Sequence, residues 1–328
     1  MTTETPQIDV GVIGVGKMGQ HHARVYNNLP SANLVGICDY DRSLAEEVAN
    51  EYSTKALDLE ELLDSIDAAS IVVPTVHHYN LAVKCLETDI GIMIEKPVVD
   101  ELHVGYKLLT KAKESTEVVQ VGHVERFNPA VVALQEFLDE LTVIDITSRR
   151  LGPPPDRYIA DSAVIDLMIH DIDIILMLLG EMPATIQSVG VYGNKHATGL
   201  LEFDSGMMAS LTASRLTQQT SRTLDITAEE CLVKLDYNNQ SINIHRDSMP
   251  EYLEDQGRAL YREMSTIEQP QIYGEEPLAR ELESFLDAVS SESIPEVTVS
   301  DGLRALEVAQ KIDEIGTDLP EPSQIADD

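Results

Sequence analysis

The sequence predicts an α/β protein of two domains: a doubly wound parallel sheet, then an α+β domain on a large open, mostly antiparallel sheet. Three observations carry this. A glycine-rich turn, Gly14-Val15-Gly16-Lys17-Met18-Gly19, joins an apolar stretch to a helical one near the start of the chain. Apolar strand patterns then alternate with helical patterns to about residue 122, the signature of a parallel sheet. From Thr142 onward, β-branched segments follow one another without helices between them, which suggests antiparallel pairing.

Residues 8–13, apolar except for Asp9, read as a buried strand. Gly14, Gly16 and Gly19 match G-x-G-x-x-G, whose glycines allow a tight turn, close approach of backbone to a pyrophosphate, and close packing of helix on strand. The helix that follows, through Tyr26, aims its positive N-terminal dipole at the phosphates, and Lys17 and Met18 are counted with the loop as cofactor-binding. Residues 33–38 form a second strand ending at Asp39, twenty residues beyond Gly19, where this fingerprint wants a carboxylate for the ribose hydroxyls. Asp39 repels a 2′-phosphate, so NAD is expected rather than NADP. Arg42 complicates that choice unless it is only a charge in the first turn of an exposed helix.

Helices are expected over 43–52 and 59–63, a strand over 69–73 ending at Pro74, and a helix over 79–86. A strand over 91–94 runs into Glu95-Lys96-Pro97, followed by a helix over 102–113 and a strand over 118–121. The boundary is abrupt, near 123–128, so the first domain is expected over 1–123 and the second over 124–316. In the second, strands are expected over 143–148, 186–192, 200–203, 207–213, 224–228, 231–235 and 241–245, with helices over 162–179, 276–289 and 301–315. The polar, acidic segment 317–328 reads as a frayed tail.

Composition bounds the function. With 328 residues and 43% hydrophobic content, the chain can bury one large or two ordinary cores, and two domains are expected. No basic stretch followed by an apolar one opens it, so no signal peptide is expected, and no apolar run reaches spanning length. Cys38, Cys85 and Cys231 have neither metal-type nor redox-type spacing, which fits reduced thiols in a cytoplasm. The 57 acidic residues outnumber 23 basic ones for a net charge of -34, spread along the chain. Such a surface excludes nucleic acid and anionic membranes as partners. Its self-repulsion is tolerated most easily in concentrated salt, where the Debye length falls to about 3 Å at 1 M. A halophilic cytoplasm is the expectation, and an ordinarily acidic protein the alternative. There is no His-Glu-x-x-His, Cys-x-x-Cys or Gly-x-Ser-x-Gly, and the pairs His21-His22 and His77-His78 point apart on any regular element, so no metal is expected.

The glycine loop, Glu95-Lys96-Pro97, and the run Asp166-Leu167-Met168-Ile169-His170-Asp171-Ile172-Asp173 together resemble the glucose-fructose oxidoreductase / inositol dehydrogenase / MocA-like (Gfo/Idh/MocA) family. The resemblance implies a Rossmann domain followed by an open-sheet domain that mediates homodimers or homotetramers. It also implies nicotinamide-dependent oxidation or reduction of a sugar, sugar nucleotide or cyclitol. The stretch around Arg126 and the run Arg150-Leu151-Gly152-Pro153-Pro154-Pro155 are most similar to UDP-N-acetylglucosamine 3-dehydrogenases. The alternatives are a free aldose or inositol dehydrogenase, a non-catalytic NAD-binding regulator, and redox-assisted glycoside hydrolysis.

Oxidising a secondary alcohol requires a group that takes the hydroxyl proton as the carbonyl forms. Lys96 and His170 can supply it. Lys96 ends a parallel strand, where open α/β sheets place their ligand crevice and desolvation lowers a lysine pKa; otherwise it is a surface lysine at a strand end. The resemblance implies that Pro97 follows a cis peptide that aims the lysine. Asp166 and His170 are four apart and share one helix face, where the carboxylate fixes the imidazole tautomer or touches substrate hydroxyls. The resemblance places both in the active site, although a lone histidine on an apolar helix is more often a core residue. Asp173 is either a substrate contact or a cap or salt-bridge partner.

Pro74 and His78 match a Pro-x-x-x-His segment that the resemblance places near the cofactor, with Glu95 beside Lys96; His78 is otherwise a residue of a helix N-terminus. Arg126 and Asn128 match the stretch joining the domains and can face nicotinamide or substrate, while Asn128 before Pro129 is equally a helix cap. Arg149, Arg150 and Arg157 flank 152–155 and, in so acidic a chain, suggest an anionic substrate such as a sugar nucleotide. Structural salt bridges are the alternative.

Overall fold

The computed structural model describes residues 7–155, 161–247, 251–255, 258–262 and 265–317. Arg157, and the expected tail beyond Thr317, lie outside them. The chain divides into two compact units, one running up to Phe127 with Glu275–Glu307 added, the other Asn128–Gly274 with the residues from Val308 on.

The first unit holds β1 (Ile8–Ile13), α1 (Lys17–Asn28), β2 (Ala32–Cys38), α2 (Arg42–Glu51), β3 (Lys55–Ala56), α3 (Leu59–Leu63), β4 (Ala68–Ile71), α4 (His78–Leu86), β5 (Gly91–Glu95), α5 (Leu102–Glu114) and β6 (Val119–Gly122). Among the described residues these strands form a six-stranded parallel sheet in the order β3-β2-β1-β4-β5-β6, the doubly wound arrangement that the alternating pattern predicts. Val10 pairs with Leu34 of β2 and Ala68 of β4, which sets the register at the centre. β4 is buried along its whole length, as a central strand covered on both faces must be. Local chemistry starts the helices: Asp41 accepts from the Ser43 and Leu44 N–H groups at α2, and Asp58 with Glu61 closes a capping box at α3.

The second unit holds α6 (Pro129–Leu138), β7 (Val143–Leu151), α7 (Ile169–Leu179), β8 (Thr185–Val191), β9 (His196–Glu202), β10 (Met208–Ser214), β11 (Ser221–Ala228), β12 (Leu232–Asp236), β13 (Ser241–Asp247), β14 (Glu251–Asp255), β15 (Arg258–Arg262) and β16 (Ser265–Glu268). Eight of the described strands form one sheet, ordered β16-β13-β12-β11-β7-β10-β9-β8 and antiparallel except where β7 meets β10. Among the described residues, β14 and β15 form a separate two-stranded sheet. One sheet face buries Ile146, Leu211, Leu224, Ile226 and Val233, while Val189, Leu200 and Met208 stand exposed on the other.

Two features depart from the sequence-based expectation. The helix expected over 276–289, assigned by sequence to the second domain, is α8 (Pro277–Ser291) and packs in the first unit. There Leu278, Leu282, Phe285 and Leu286 join Val10, Val12, Val25 and Tyr26 in one core. The last helix, α9 (Val299–Thr317), contributes residues 299–307 to the first unit and the rest to the second. In addition, α6 and β14 to β16 occupy stretches to which the sequence reading assigned no element.

Candidate active site

The glycine turn sits between β1 and β4, where strand order reverses and doubly wound folds hold their ligands. Gly14 has φ +91°, and a Cβ there would meet the Val72 carbonyl oxygen at 2.4 Å, so only glycine passes between these strand ends. A Cβ on Gly19 would lie 1.9 Å from the Gly14 carbonyl oxygen, so the first turn of α1 packs directly on the loop. Gly16 is exposed, and a Cβ there would meet nothing within 4 Å. Bare backbone therefore faces outward just before Lys17 and Met18 open α1, and no side chain caps that helix. Its N-terminus is left for an anion.

Asp39, directly after β2, accepts from the Val15 N–H at 2.7 Å and from the Asp41 N–H at 2.8 Å. The carboxylate is fixed beside the loop with lone pairs to spare for ribose hydroxyls. Arg42 pairs with Glu46 at 3.1 Å and Asp58 at 3.3 Å, as an exposed helix charge. A cradle that excludes side chains, an uncapped helix N-terminus and a fixed carboxylate fit a dinucleotide.

Lys96 leaves the carboxyl end of β5, on the same sheet edge as the glycine turn, and the Lys96–Pro97 peptide is cis. One Glu95 oxygen accepts from the Lys96 N–H at 3.1 Å, and the other lies 3.0 Å from His22 Nε2. His22 Nδ1 is 3.0 Å from Ser70 Oγ, itself 2.8 Å from the Tyr26 hydroxyl. Burial pushes the Glu95 carboxyl up, but the hydrogen bond and charge of His22 and the charge of Lys96 outweigh it and hold the group below its ordinary range. A charged carboxylate thus anchors the backbone of Lys96. Gly122 makes room for it, since a Cβ there would lie 3.1 Å from Glu95 Cα. His78 is buried, with Nδ1 3.1 Å from the Pro97 carbonyl and Nε2 2.9 Å from the Val73 carbonyl. Burial lowers its pKa against the opposing pull of these carbonyls. The ring ties the segment holding Pro74 to the turn at Pro97.

In the second unit, the helix expected from 162 begins as a π-helical turn, Val164–Met168, and becomes α7 at Ile169. Asp166 stands in the wide turn and His170 in the first turn of α7, both half-buried. Such turns gather at functional sites. Arg215 pairs with Asp166 and donates to the Asp161 carbonyl at 2.6 Å. Asp173 is buried on α7.

Arg150 holds Asp171 through two hydrogen bonds of 2.7 and 3.0 Å, with its guanidinium carbon 4.9 Å from the Tyr237 ring centroid. Of the two readings the sequence leaves open for Arg150, the structure shows the salt bridge. Arg149 lines a separate cavity with Asp225 and Lys234, and successive strand residues face opposite sides. Asn128 is a cap: it accepts from the Ala130 N–H at 3.1 Å and donates to the Tyr237 carbonyl at 3.1 Å. Arg126, in the first unit, reaches the Glu296 carbonyl at 3.5 Å and Asp301 at 3.7 Å. Among the described residues no group of three or more His, Cys, Asp or Glu is placed to hold a metal.

Sequence reasoning passed over His22 and Arg215. For His22 a signal existed, because three residues past Gly19 it shares the helix face that packs on the sheet. For Arg215 there was none, because it meets Asp166 from 49 residues away.

Residues 8–123 match a model described as an oxidoreductase family with NAD-binding Rossmann fold, and residues 135–233 match the GFO/IDH/MocA C-terminal domain. The chain is 29% identical over 295 residues to UDP-N-acetylglucosamine 3-dehydrogenase from Acidithiobacillus ferrooxidans, covering 86% of this chain and 88% of that relative. It is 32% identical over 231 residues to scyllo-inositol 2-dehydrogenase (NAD(+)) from Bacillus subtilis, covering 64% and 68%. The solved structure of the Acidithiobacillus enzyme matches with a TM-score of 0.85 at 28% identity, over 94% of this chain and 97% of that one. Levoglucosan dehydrogenase in complex with NADH and levoglucosan shares the fold, with a TM-score of 0.80 at 20% identity over 95% and 97%. The chain therefore belongs to the Gfo/Idh/MocA family, as an NAD-dependent oxidoreductase acting on CH–OH groups.

Proposed function

We propose that the chain oxidises a secondary hydroxyl of a sugar or sugar nucleotide, with C3 of UDP-N-acetylglucosamine as the first position to test. The carrying observation is Lys96, at the end of β5 on the same edge as the glycine turn, with its backbone anchored by the Glu95 carboxylate. Bound NAD supplies the hydride acceptor. Lys96 and His170 take up the proton of the hydroxyl, and Asp166, four residues before His170, sets the imidazole tautomer or contacts the sugar. Gly14, Gly16, Gly19 and the start of α1 receive the pyrophosphate, and Asp39 the ribose. Retention of the lysine, aspartate and histidine favours this over a non-catalytic regulator.

The test is a screen of UDP-sugars, free aldoses and inositols with NAD and with NADP in molar potassium chloride, read as absorbance of reduced nicotinamide. Reduction of NAD by a sugar-class substrate is expected, with NAD preferred because Asp39 repels a 2′-phosphate. Silence across the screen removes the enzymatic reading, and equal efficiency with NADP removes the role given to Asp39.

The proposal extends to setting and assembly. Exposed Val189, Leu200 and Met208 on the open sheet face support a homodimer or homotetramer. No helix among the described residues is long and apolar enough to cross a membrane, and the three cysteines are free thiols, which supports a cytoplasmic location. The net charge of -34 supports a salt-rich cytoplasm. The melting temperature is expected to climb from low to molar potassium chloride as carboxylate repulsion is screened, and a calorimetric scan that shows no salt dependence ends the halophile reading.

A further inference from the structure

We infer that the substrate of this site carries a phosphate group, received by Arg215 and Arg222 in a cavity at one end of the eight-stranded sheet. The inference rests on the dehydrogenase reading, because Asp166, assigned there to the reacting sugar, lines the same cavity. The space is about 220 Å³, with Arg150, Gly152, Pro153, Arg215 and Arg222 among its walls. Sites for whole drug-sized ligands run from roughly 300 to 1,000 Å³. This one suits the charged end of a substrate, not an entire nucleotide sugar.

Its charge is the unusual feature. The chain has 57 acidic residues against 23 basic ones, and most of its described arginines are claimed by acids. Arg24 holds Glu276, Arg42 holds Glu46 and Asp58, Arg126 holds Asp301, Arg246 holds Glu268 and Arg280 holds Glu275. Two of the cavity's three arginines follow this pattern, Arg150 with Asp171 and Arg215 with Asp166. Arg222 does not. It is exposed on β11 and its side chain makes no ion pair or hydrogen bond among the described residues. Among the described residues, three guanidinium groups thus line the cavity against the one carboxylate of Asp166, a local positive excess in a strongly negative chain.

The rim is built to stay in place. Gly152 donates to the Ser214 carbonyl at 2.9 Å, and its own carbonyl accepts from both the N–H and the hydroxyl of Thr217 at 3.1 Å. Pro153 and Pro155 lock φ in the segment that follows Gly152. A fixed rim lowers the ordering cost of binding, and a guanidinium fork matches phosphate oxygens two at a time. A neutral cyclitol or free aldose offers Arg222 no counter-charge. The cavity therefore selects phosphate-bearing sugars over inositols.

Calorimetric titration of the full chain with UDP, inorganic phosphate and glucuronate, at an ionic strength that keeps it folded, tests this. UDP is expected to bind wild type, and Arg222→Ala to weaken it roughly tenfold or more while NADH affinity and melting temperature hold. Arg222→Lys should recover part of the loss, keeping the charge but not the fork. On a phosphate-bearing sugar, Arg222→Ala should raise KM and leave kcat unchanged. Equal UDP affinity in wild type and Arg222→Ala overturns the inference. So does tighter, Arg222-dependent binding of glucuronate, or efficient oxidation of a neutral polyol by both proteins. Absence of NAD reduction with every sugar removes the dehydrogenase reading instead, and the UDP titration is unaffected by that outcome.

Discussion

Lys96→Ala and His170→Ala are each expected to lower turnover by about 10² to 10⁴, the range over which a positioned acid or base contributes. Chemistry and cofactor binding reside in different groups of this chain. The groups that receive the dinucleotide, Gly14 to Gly19 and Asp39, are held by contacts that involve neither side chain: Asp39 is fixed by the Val15 and Asp41 N–H groups, and the turn by close packing of Gly14 on Val72 and Gly19 on Gly14. NADH affinity, measured by fluorescence titration, should therefore stay near wild type while kcat falls. A loss of both would show a binding defect, and near-normal turnover in both variants would remove these residues from the mechanism. Glu95 lies upstream of Lys96. Its buried carboxylate, kept charged mainly by His22 and less by the Lys96 amine, bonds the Lys96 N–H, so Lys96→Ala removes the amine while the His22 contact and the backbone anchor remain.

Asp171→Ala is expected to destabilise the protein by about 3–5 kcal/mol, the usual cost of leaving one partner of a buried ion pair without the other. Both side chains are almost fully buried, at 3% exposure for Arg150 and 2% for Asp171. The guanidinium meets the carboxylate through two hydrogen bonds and lies over the Tyr237 ring, so removing Asp171 takes away the carboxylate that balances a nearly fully buried positive charge. Urea unfolding at constant potassium chloride measures the loss. The double variant Arg150→Met, Asp171→Leu should recover most of it, since replacing both partners with apolar groups removes the desolvation penalty together with the pair. A single variant within about 1 kcal/mol of wild type would mean that water reaches the pair and screens it.

Much of the fold was legible because the information is local. The apolar run of β1, the glycines after it and the acid ending β2 lie within 32 consecutive residues, and each constrains its own backbone. Strand and helix periodicity in the first unit is equally local, and so is the change of character at Thr142. Of the proposed site, Lys96 was picked out by the strand before it, and Asp166 with His170 by their spacing of four. The π-helical turn that carries Asp166 was not, because its i to i+5 bonding leaves no mark on a helical pattern four residues wide.

By itself, then, the sequence determined the alternating elements of the first unit and the dinucleotide-type turn, and it named the residues proposed to move a proton. The tertiary structure decided which charges are matched and which are left over. In the sequence Arg150 stood out beside the proline-rich run and Arg222 carried no signal, yet neither position shows whether its charge is matched. Pairing depends on distance in space: Arg150 finds Asp171 across 21 residues and Arg215 finds Asp166 across 49, whereas Arg222 finds no acid among the described residues. The same holds for α8, whose amphipathic pattern shows an apolar face but not its destination. Only packing showed that Leu282 and Phe285 complete the core around β1, since hydrophobic burial is non-directional and any apolar face of the right shape can receive such a helix.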